Sequence, residues 1–244
     1  MGISKISCEN IRPPLWNDQS DFFLNEATDL WRISIKEQTS QFENLKKLLS
    51  KEELERVNRF HQQKDKIRFT LGKGTLRTIL SLYLRCSPQD IRFEKGYNEK
   101  PFINYPQNNI AFNISYSHNW ILIAVSSEAV GVDVEYINKE FDYSLVMENC
   151  FTEKEIKTIQ SASPPENIFF RSWTRKEALL KATSLGLNDY LRDFSCLDGS
   201  QPLSKKLNIT GDWFIKSFLM EGDYYVSFAQ KSAMPIRYCD NPLI

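Results

Sequence analysis

Three stretches of this sequence set charged side chains at spacings where they could act together. In Gly131-Val132-Asp133-Val134-Glu135-Tyr136 the composition reads as a strand, and residues two apart on a strand face the same way, so Asp133 and Glu135 project side by side. Adjacent carboxylates repel unless a cation or a proton sits between them. Hard oxygen donors suit Mg²⁺, which keeps several waters and takes further oxygens from phosphates. An edge strand with its polar face in water is the competing reading, and these residues alone leave both open. In Arg171-Ser172-Trp173-Thr174-Arg175-Lys176-Glu177-Ala178-Leu179-Leu180-Lys181 a helix puts Trp173, Glu177 and Lys181 on one stripe. Glu177 and Lys181 are in the favourable order for a surface ion pair. If the stripe faces Asp133 and Glu135 instead, Glu177 is a third carboxylate and Lys181 a phosphate ligand. The third stretch, Arg68-Phe69-Thr70-Leu71-Gly72-Lys73-Gly74, carries two glycines inside a helical pattern. Each costs about 1 kcal/mol relative to alanine, which implies close packing or close approach of a ligand. Lys73 is not a P-loop lysine, because Gly74 rather than Ser or Thr follows it.

Two further stretches are weaker alone. Asn98-Glu99-Lys100-Pro101-Phe102-Ile103 reads as a turn into a short strand, which places Lys100 on a rigid connection. Phe112-Asn113-Ile114-Ser115-Tyr116-Ser117-His118 reads as a strand end rich in hydroxyls.

The elements that must position these residues show a duplication. Ser50-Lys51-Glu52-Glu53-Leu54 and Thr152-Glu153-Lys154-Glu155-Ile156 both have a hydroxyl N-cap with Glu three positions later, a capping box. Asn119–Val125 and Asp223–Ala229 are both β-rich runs after a polar turn. The two offsets are nearly equal, so two similar α+β halves are expected, residues 1–126 and 127–244, joined near 126–130. Helices are expected at 41–49, 51–58, 62–85, 152–161 and 165–184. Strands are expected near 29–35, 111–116, 120–126, 130–136, 193–197, 213–219 and 224–229. Gln107–Asn109, Asn138–Asp142 and Ser161–Pro165 read as loops or breaks. Strands cluster after helices, which favours α+β over a doubly wound sheet.

Composition sets outer bounds. The 244 residues carry 31 basic and 31 acidic side chains, 41% hydrophobic and 25% charged residues, with 16 Phe, 10 Tyr and 5 Trp. That is a globular balance which excludes disorder. No basic excess exists to neutralise nucleic-acid phosphates, so no nucleic-acid partner is expected. No apolar run spans a membrane, and the N-terminus has no signal-peptide pattern. Five scattered cysteines without a C-x-x-C pair point to reduced thiols in a cytoplasm. Only His61 and His118 are present, so chemistry must come from carboxylates, lysines and arginines. The charge is also partitioned. Lys51–Arg77 has eight basic residues against four acidic, Glu128–Glu155 eight acidic against two basic, and Arg171–Lys181 four basic against one acidic.

In this order the five stretches resemble the 4′-phosphopantetheinyl transferases of the surfactin-synthetase-activating type. That family runs approximately R-x-x-x-G, G-K-P, F-N-x-S-H-S, G-[VI]-D-[VI]-E and W-x-x-K-E-[AS]-x-x-K, and the resemblance covers roughly residues 50–198. It implies an α+β pseudo-dimer of two similar subdomains with the active site between them. It implies transfer of the phosphopantetheine arm of coenzyme A to a serine of an acyl or peptidyl carrier protein, with release of 3′,5′-ADP. By match, Asp133, Glu135 and Glu177 would hold Mg²⁺, Glu177 would also take the serine proton, and Lys181 would bind the pyrophosphate. Arg68, Lys100, Ser115, Tyr116 and Lys176 would hold the rest of coenzyme A. Two positions depart from the pattern. Tyr116 stands where the family usually has His, with His118 two positions later, and Glu99 replaces the glycine of G-K-P. A non-catalytic coenzyme A or carrier-protein binder of the same fold, and an unrelated Mg²⁺-dependent phosphohydrolase, are the competing functions. The internal duplication makes a monomer the economical expectation.

Overall fold

The computed structural model describes residues 4–24, 27–104, 109–186 and 190–240. The loop expected at Gln107–Asn109 and the first three residues of the N-terminus lie partly or wholly outside them. In chain order the elements are β1 (Lys5–Asn10), β2 (Thr28–Ser34), α1 (Ile35–Gln38), α2 (Phe42–Lys46), α3 (Lys51–Arg59), α4 (Gln63–Leu84), β3 (Phe93–Lys95) and β4 (Pro101–Ile103). There follow β5 (Ala111–Ser117), β6 (Trp120–Ser126), β7 (Val130–Tyr136), α5 (Ser144–Cys150), α6 (Glu153–Ser161) and α7 (Pro165–Thr183). The chain closes with β8 (Gly199–Pro202), β9 (Trp213–Met220), β10 (Tyr224–Gln230) and β11 (Ile236–Asp240).

The two capping boxes start α3 and α6 as the sequence indicated. Ser50 and Thr152 accept from the backbone N–H of Glu53 and Glu155, whose carboxylates accept from the N–H of the capping residue. Each short helix leads into a long one, α4 or α7, and the strands repeat likewise. Antiparallel β2-β6-β5 in one sheet corresponds to antiparallel β7-β10-β9 in the other. The fold is therefore the α+β pseudo-dimer. The chain termini cross over between the halves. β11 pairs in parallel with β2 of the first sheet, and β1 pairs in parallel with β9 of the second.

Alternation within the strands explains the layers. Along β6, Ile121, Ile123 and Val125 join a core with Leu71, Leu76, Ile79 and Leu80 of α4. The intervening Trp120, Leu122 and Ala124 join Val130, Val132 and Val134 of β7 and Val226 and Phe228 of β10 in a core shared by the two sheets. Each fully buried Leu, Ile or Val contributes about 1.5–3 kcal/mol, so one face of β6 anchors α4 within the first half and the other holds the two halves together. α7 covers the far face of the second sheet.

Residues 193–197 do not form the expected strand. A 3₁₀ turn at Leu191–Asp193 is followed by irregular chain, because its backbone groups are taken by helix side chains. Lys176 Nζ donates to the Phe194 carbonyl, Arg175 to the Cys196 carbonyl, and the Cys196 N–H donates to Glu155. The expected helix 41–49 is shorter, and β1, α1, β3, α5, β8 and β11 were not anticipated. Among the described residues no helix is long and apolar enough to cross a membrane.

Candidate functional site

Gly131 lets α7 lie directly on β7. A Cβ there would sit 2.1 Å from the Ala178 carbonyl oxygen and 2.5 Å from the Ala182 nitrogen, so no side chain fits. Val130, Val132 and Val134 point into the shared core, which leaves Asp133 and Glu135 on the face that α7 covers. The solvated-edge reading of that pair is thereby removed: Asp133 is 3% exposed.

β7 is an edge strand of its sheet and β5 an edge strand of the other. They are joined by side chains where a backbone ladder would otherwise run. Asn113 Oδ1 accepts from Val132 N (2.9 Å), Ser115 Oγ from Val134 N (3.4 Å) and Ser117 Oγ from Tyr136 N (2.9 Å). Each satisfies a β7 N–H that would otherwise have no partner, a loss worth about 1–3 kcal/mol when buried. The serines also donate onward, Ser115 Oγ to Asp133 Oδ1 at 2.9 Å and Ser117 Oγ to Glu135 Oε2 at 3.4 Å. The polar alternation of Asn113, Ser115 and Ser117 was visible in the sequence, though only as a hydroxyl-rich strand end.

From α7, Lys181 Nζ donates to Asp133 Oδ1 (2.6 Å) and Ser115 Oγ (3.1 Å). Burial nevertheless raises the Asp133 carboxyl above its usual range, against the opposing pull of Lys181. Burial, and next the charge of Asp133, push Glu135 and Glu177 each up to about 7. Asp133 Oδ2 and Glu177 Oε1 are buried without a hydrogen-bond partner. Two orphaned carboxylate oxygens and three acids that feel one another are a donor set suited to a hard cation. Among the described residues no three acidic, His or Cys side chains already converge as a metal cluster, so a bound ion would have to draw these acids together.

A cavity of about 210 Å³ lies beside these groups, lined by Glu177 and Lys181 of α7, Asn113 of β5, and Asn98 and Lys100 from the turn before β4. Lys100 Nζ donates to the carbonyls of Val130 (3.2 Å) and Ala182 (3.1 Å), and burial lowers its ammonium to about 8. Glu99 and Pro101 also border a groove of about 490 Å³, where Arg56, Lys73, Arg77 and Arg92 gather around Phe69 and Phe93. Burial lowers the Lys73 ammonium, which lies 5.3 Å from the centre of the Phe93 ring.

Five of the expected site residues, Asp133, Glu135, Glu177, Lys181 and Ser115, come together, with Lys100 at the rim. Lys176 does not join them. It is fully buried, donates to the carbonyls of Leu191 (2.7 Å) and Phe194 (2.6 Å), and pairs with Glu155 at 3.1 Å. Its expected contact with coenzyme A is corrected to a role in the interior. Tyr116 is corrected as well: next to Ser115 on a strand, it points to the opposite face and packs on Gly72, where a Cβ would meet its ring at 2.4 Å. That contact accounts for Gly72, and Leu45, 2.6 Å from a Cβ on Gly74, accounts for the second glycine. Arg68 pairs with Asp65 (3.0 Å) and lines neither hollow. His118 occupies the β5–β6 turn with its ring against Tyr136 and also lines neither. Sequence reasoning missed Asn98, Asn113 and Ser117 as site residues.

Known proteins give the same arrangement a context. Residues 129–229 match the family described as the 4′-phosphopantetheinyl transferase superfamily, and residues 34–128 match 4′-phosphopantetheinyl transferase, N-terminal. The 4′-phosphopantetheinyl transferase HetI of Nostoc sp. is 36% identical over 169 residues, 67% of this chain and 71% of the relative. The 4′-phosphopantetheinyl transferase gsp of Aneurinibacillus migulanus is 34% identical, covering 60% of each chain. The 4′-phosphopantetheinyl transferase Sfp of Bacillus subtilis is 30% identical, covering 63% of this chain and 68% of the relative.

Proposed function

The chain belongs to the 4′-phosphopantetheinyl transferases of the surfactin-synthetase-activating type, and from that premise we propose that it transfers the phosphopantetheine arm of coenzyme A to a serine of an acyl or peptidyl carrier protein. The observation that carries this reading is that Glu177 and Lys181 line one cavity while Lys181 Nζ holds the buried Asp133 beside Glu135, with Asp133 Oδ2 and Glu177 Oε1 unpartnered. The serine oxygen bonds to the phosphorus that bears the pantetheine, the pyrophosphate P–O bond breaks, and 3′,5′-ADP leaves with the bridging oxygen.

Each side chain has a task in that reaction. Lys181 neutralises the pyrophosphate and stabilises the charge that develops on the leaving oxygen. Glu177, whose Oε1 has no hydrogen-bond partner, takes the serine proton as general base. Asp133, Glu135 and Glu177 are the residues that would hold Mg²⁺, which when bound supplies further positive charge at the pyrophosphate. Ser115 and Ser117 orient Asp133 and Glu135 from β5. The basic groove around Arg56 and Lys73 suits the 3′-phosphate and adenine end, with Lys100 on the turn between the two hollows. Little covalent chemistry is left to the protein beyond positioning and proton removal.

The five free cysteines support a reducing cytoplasm as the site of action, and the internal pseudo-dimer supports a monomer. The test is product analysis by chromatography. Coenzyme A, Mg²⁺ and an unmodified carrier should yield 3′,5′-ADP in step with carrier consumed, and none without carrier. Release of 3′,5′-ADP without carrier would favour a phosphohydrolase, and no release with several carriers would favour a binding protein.

A further inference from the structure

The turn that carries Lys100 is fastened to the opposite half of the molecule by a side chain that the reaction does not use. Asn98 Nδ2 donates to the carbonyls of Ser184 (2.9 Å) and Leu185 (2.6 Å), just beyond the end of α7. Both partners are carbonyl oxygens, so only the amide nitrogen can face them, and the orientation of the amide is fixed by its surroundings. These carbonyls are left over from the helix. Ser184 takes a left-handed conformation (φ 62°), and the N–H groups of Ser184 and Leu185 both return to the Leu180 carbonyl, which leaves the outward oxygens to find donors elsewhere.

The backbone at Asn98 is shaped for this task. Asn98 (φ 49°) and Glu99 (φ 62°) are successive left-handed residues, a conformation that asparagine tolerates better than most side chains. Gly186, itself at φ +67°, lies beside the Asn98 side chain, which a Cβ on it would meet at 3.7 Å. Two residues along, Lys100 Nζ donates to the carbonyls of Val130 and Ala182. One turn of the first half therefore supplies donors to four carbonyls of the second, and Asn98, Lys100, Lys181, Ser184 and Gly186 all line the same cavity.

We propose that Asn98 is a positioning residue for coenzyme A: its amide holds the 96–100 turn on the end of α7 and thereby fixes the distance across the cavity between Lys100 and Lys181. The inference rests on the reading of that cavity as a coenzyme A site. Asn98 itself touches no reacting atom. Loss of the tie lets the turn drift from α7, and the two lysines then no longer meet one ligand at a set spacing.

Asn98→Asp is the decisive variant, because it keeps the size and the left-handed tolerance of Asn98 but removes both donors and points oxygen at oxygen. Asn98→Gly keeps the backbone freedom and removes the amide. Titration calorimetry of the full chain with coenzyme A should show affinity lowered about fivefold to tenfold in both, roughly the loss of two exposed neutral hydrogen bonds. In turnover, KM for coenzyme A should rise by the same factor while kcat and KM for the carrier stay within twofold. A merely structural role would lower the active fraction, hence kcat, and leave KM alone. Wild-type affinity in Asn98→Asp overturns the inference while the functional reading stands. A wild-type chain that takes up no coenzyme A overturns both.

Discussion

Lys181 Nζ lies 2.6 Å from Asp133 Oδ1, which ties the last turn of α7 to the middle of β7. Asp133 is the most deeply buried of the three acids, and its carboxylate has no other cation within ion-pair reach among the described residues.

Lys181→Ala should therefore act twice. Transfer should fall by about 10²-fold or more, because a charge aimed at the leaving oxygen is lost. Stability should fall by about 1–3 kcal/mol, less than for a fully buried pair because the Lys181 side chain is 28% exposed. Urea unfolding and steady-state kinetics on the same preparation separate the two effects.

Lys176 should behave differently from its neighbour five residues on. It and Glu155 are both fully buried and paired, so Lys176→Ala leaves an uncompensated carboxylate in the interior, a loss of about 3–5 kcal/mol. The expected result is a lower unfolding midpoint with unchanged KM for coenzyme A in the protein that remains folded. A raised KM at unchanged stability would return Lys176 to the binding site.

Gly131→Ala should be more damaging than Gly72→Ala. At Gly131 the new methyl meets backbone, the Ala178 carbonyl and the Ala182 nitrogen, whereas at Gly72 it meets only side-chain atoms, the outer end of the Tyr116 ring. Overpacking against backbone should cost about 3 kcal/mol or more, and against the end of a side chain about 1–2 kcal/mol. Denaturant midpoints of the two variants measured side by side check the order.

Lys100 gives the site a pH dependence of known sign. Burial lowers its ammonium from 10.5 to about 8. Between those values the unfolded chain binds more protons than the folded one, so this group's stabilisation is complete above 10.5 and is lost as pH falls toward 8. Affinity for an anion runs the other way, since the free enzyme loses this charge above about pH 8. The profile of kcat/KM for coenzyme A should fall there, and Lys100→Arg, charged throughout, should flatten the fall.

Much of this was legible in the sequence, for local reasons. The capping boxes at Ser50 and Thr152 and the β-rich runs after polar turns are short-range signals, and together they disclosed the duplication. Asp133, Glu135, Glu177 and Lys181 were legible because strand and helix periods fix which residues share a face. What the sequence hid depends on distant partners. Lys176 differs from Lys181 only in the direction it leaves α7, and that direction is set by Glu155 and the chain at 191–196. Tyr116 faces away from the acids because one residue along a strand reverses the side chain. β1 and β11 find their neighbours at the far end of the chain, β1 between β8 and β9 and β11 beside β2, and their own residues carry little β pattern.

The most direct test of the account weighs the carrier protein. An unmodified carrier incubated with the chain, coenzyme A and Mg²⁺ should gain the mass of one phosphopantetheine arm, localised to a single serine. Asp133→Ala and Glu177→Ala, folded by circular dichroism, should leave the carrier mass unchanged. A carrier that gains no mass with the wild-type chain, or gains it equally with both variants, would contradict the account.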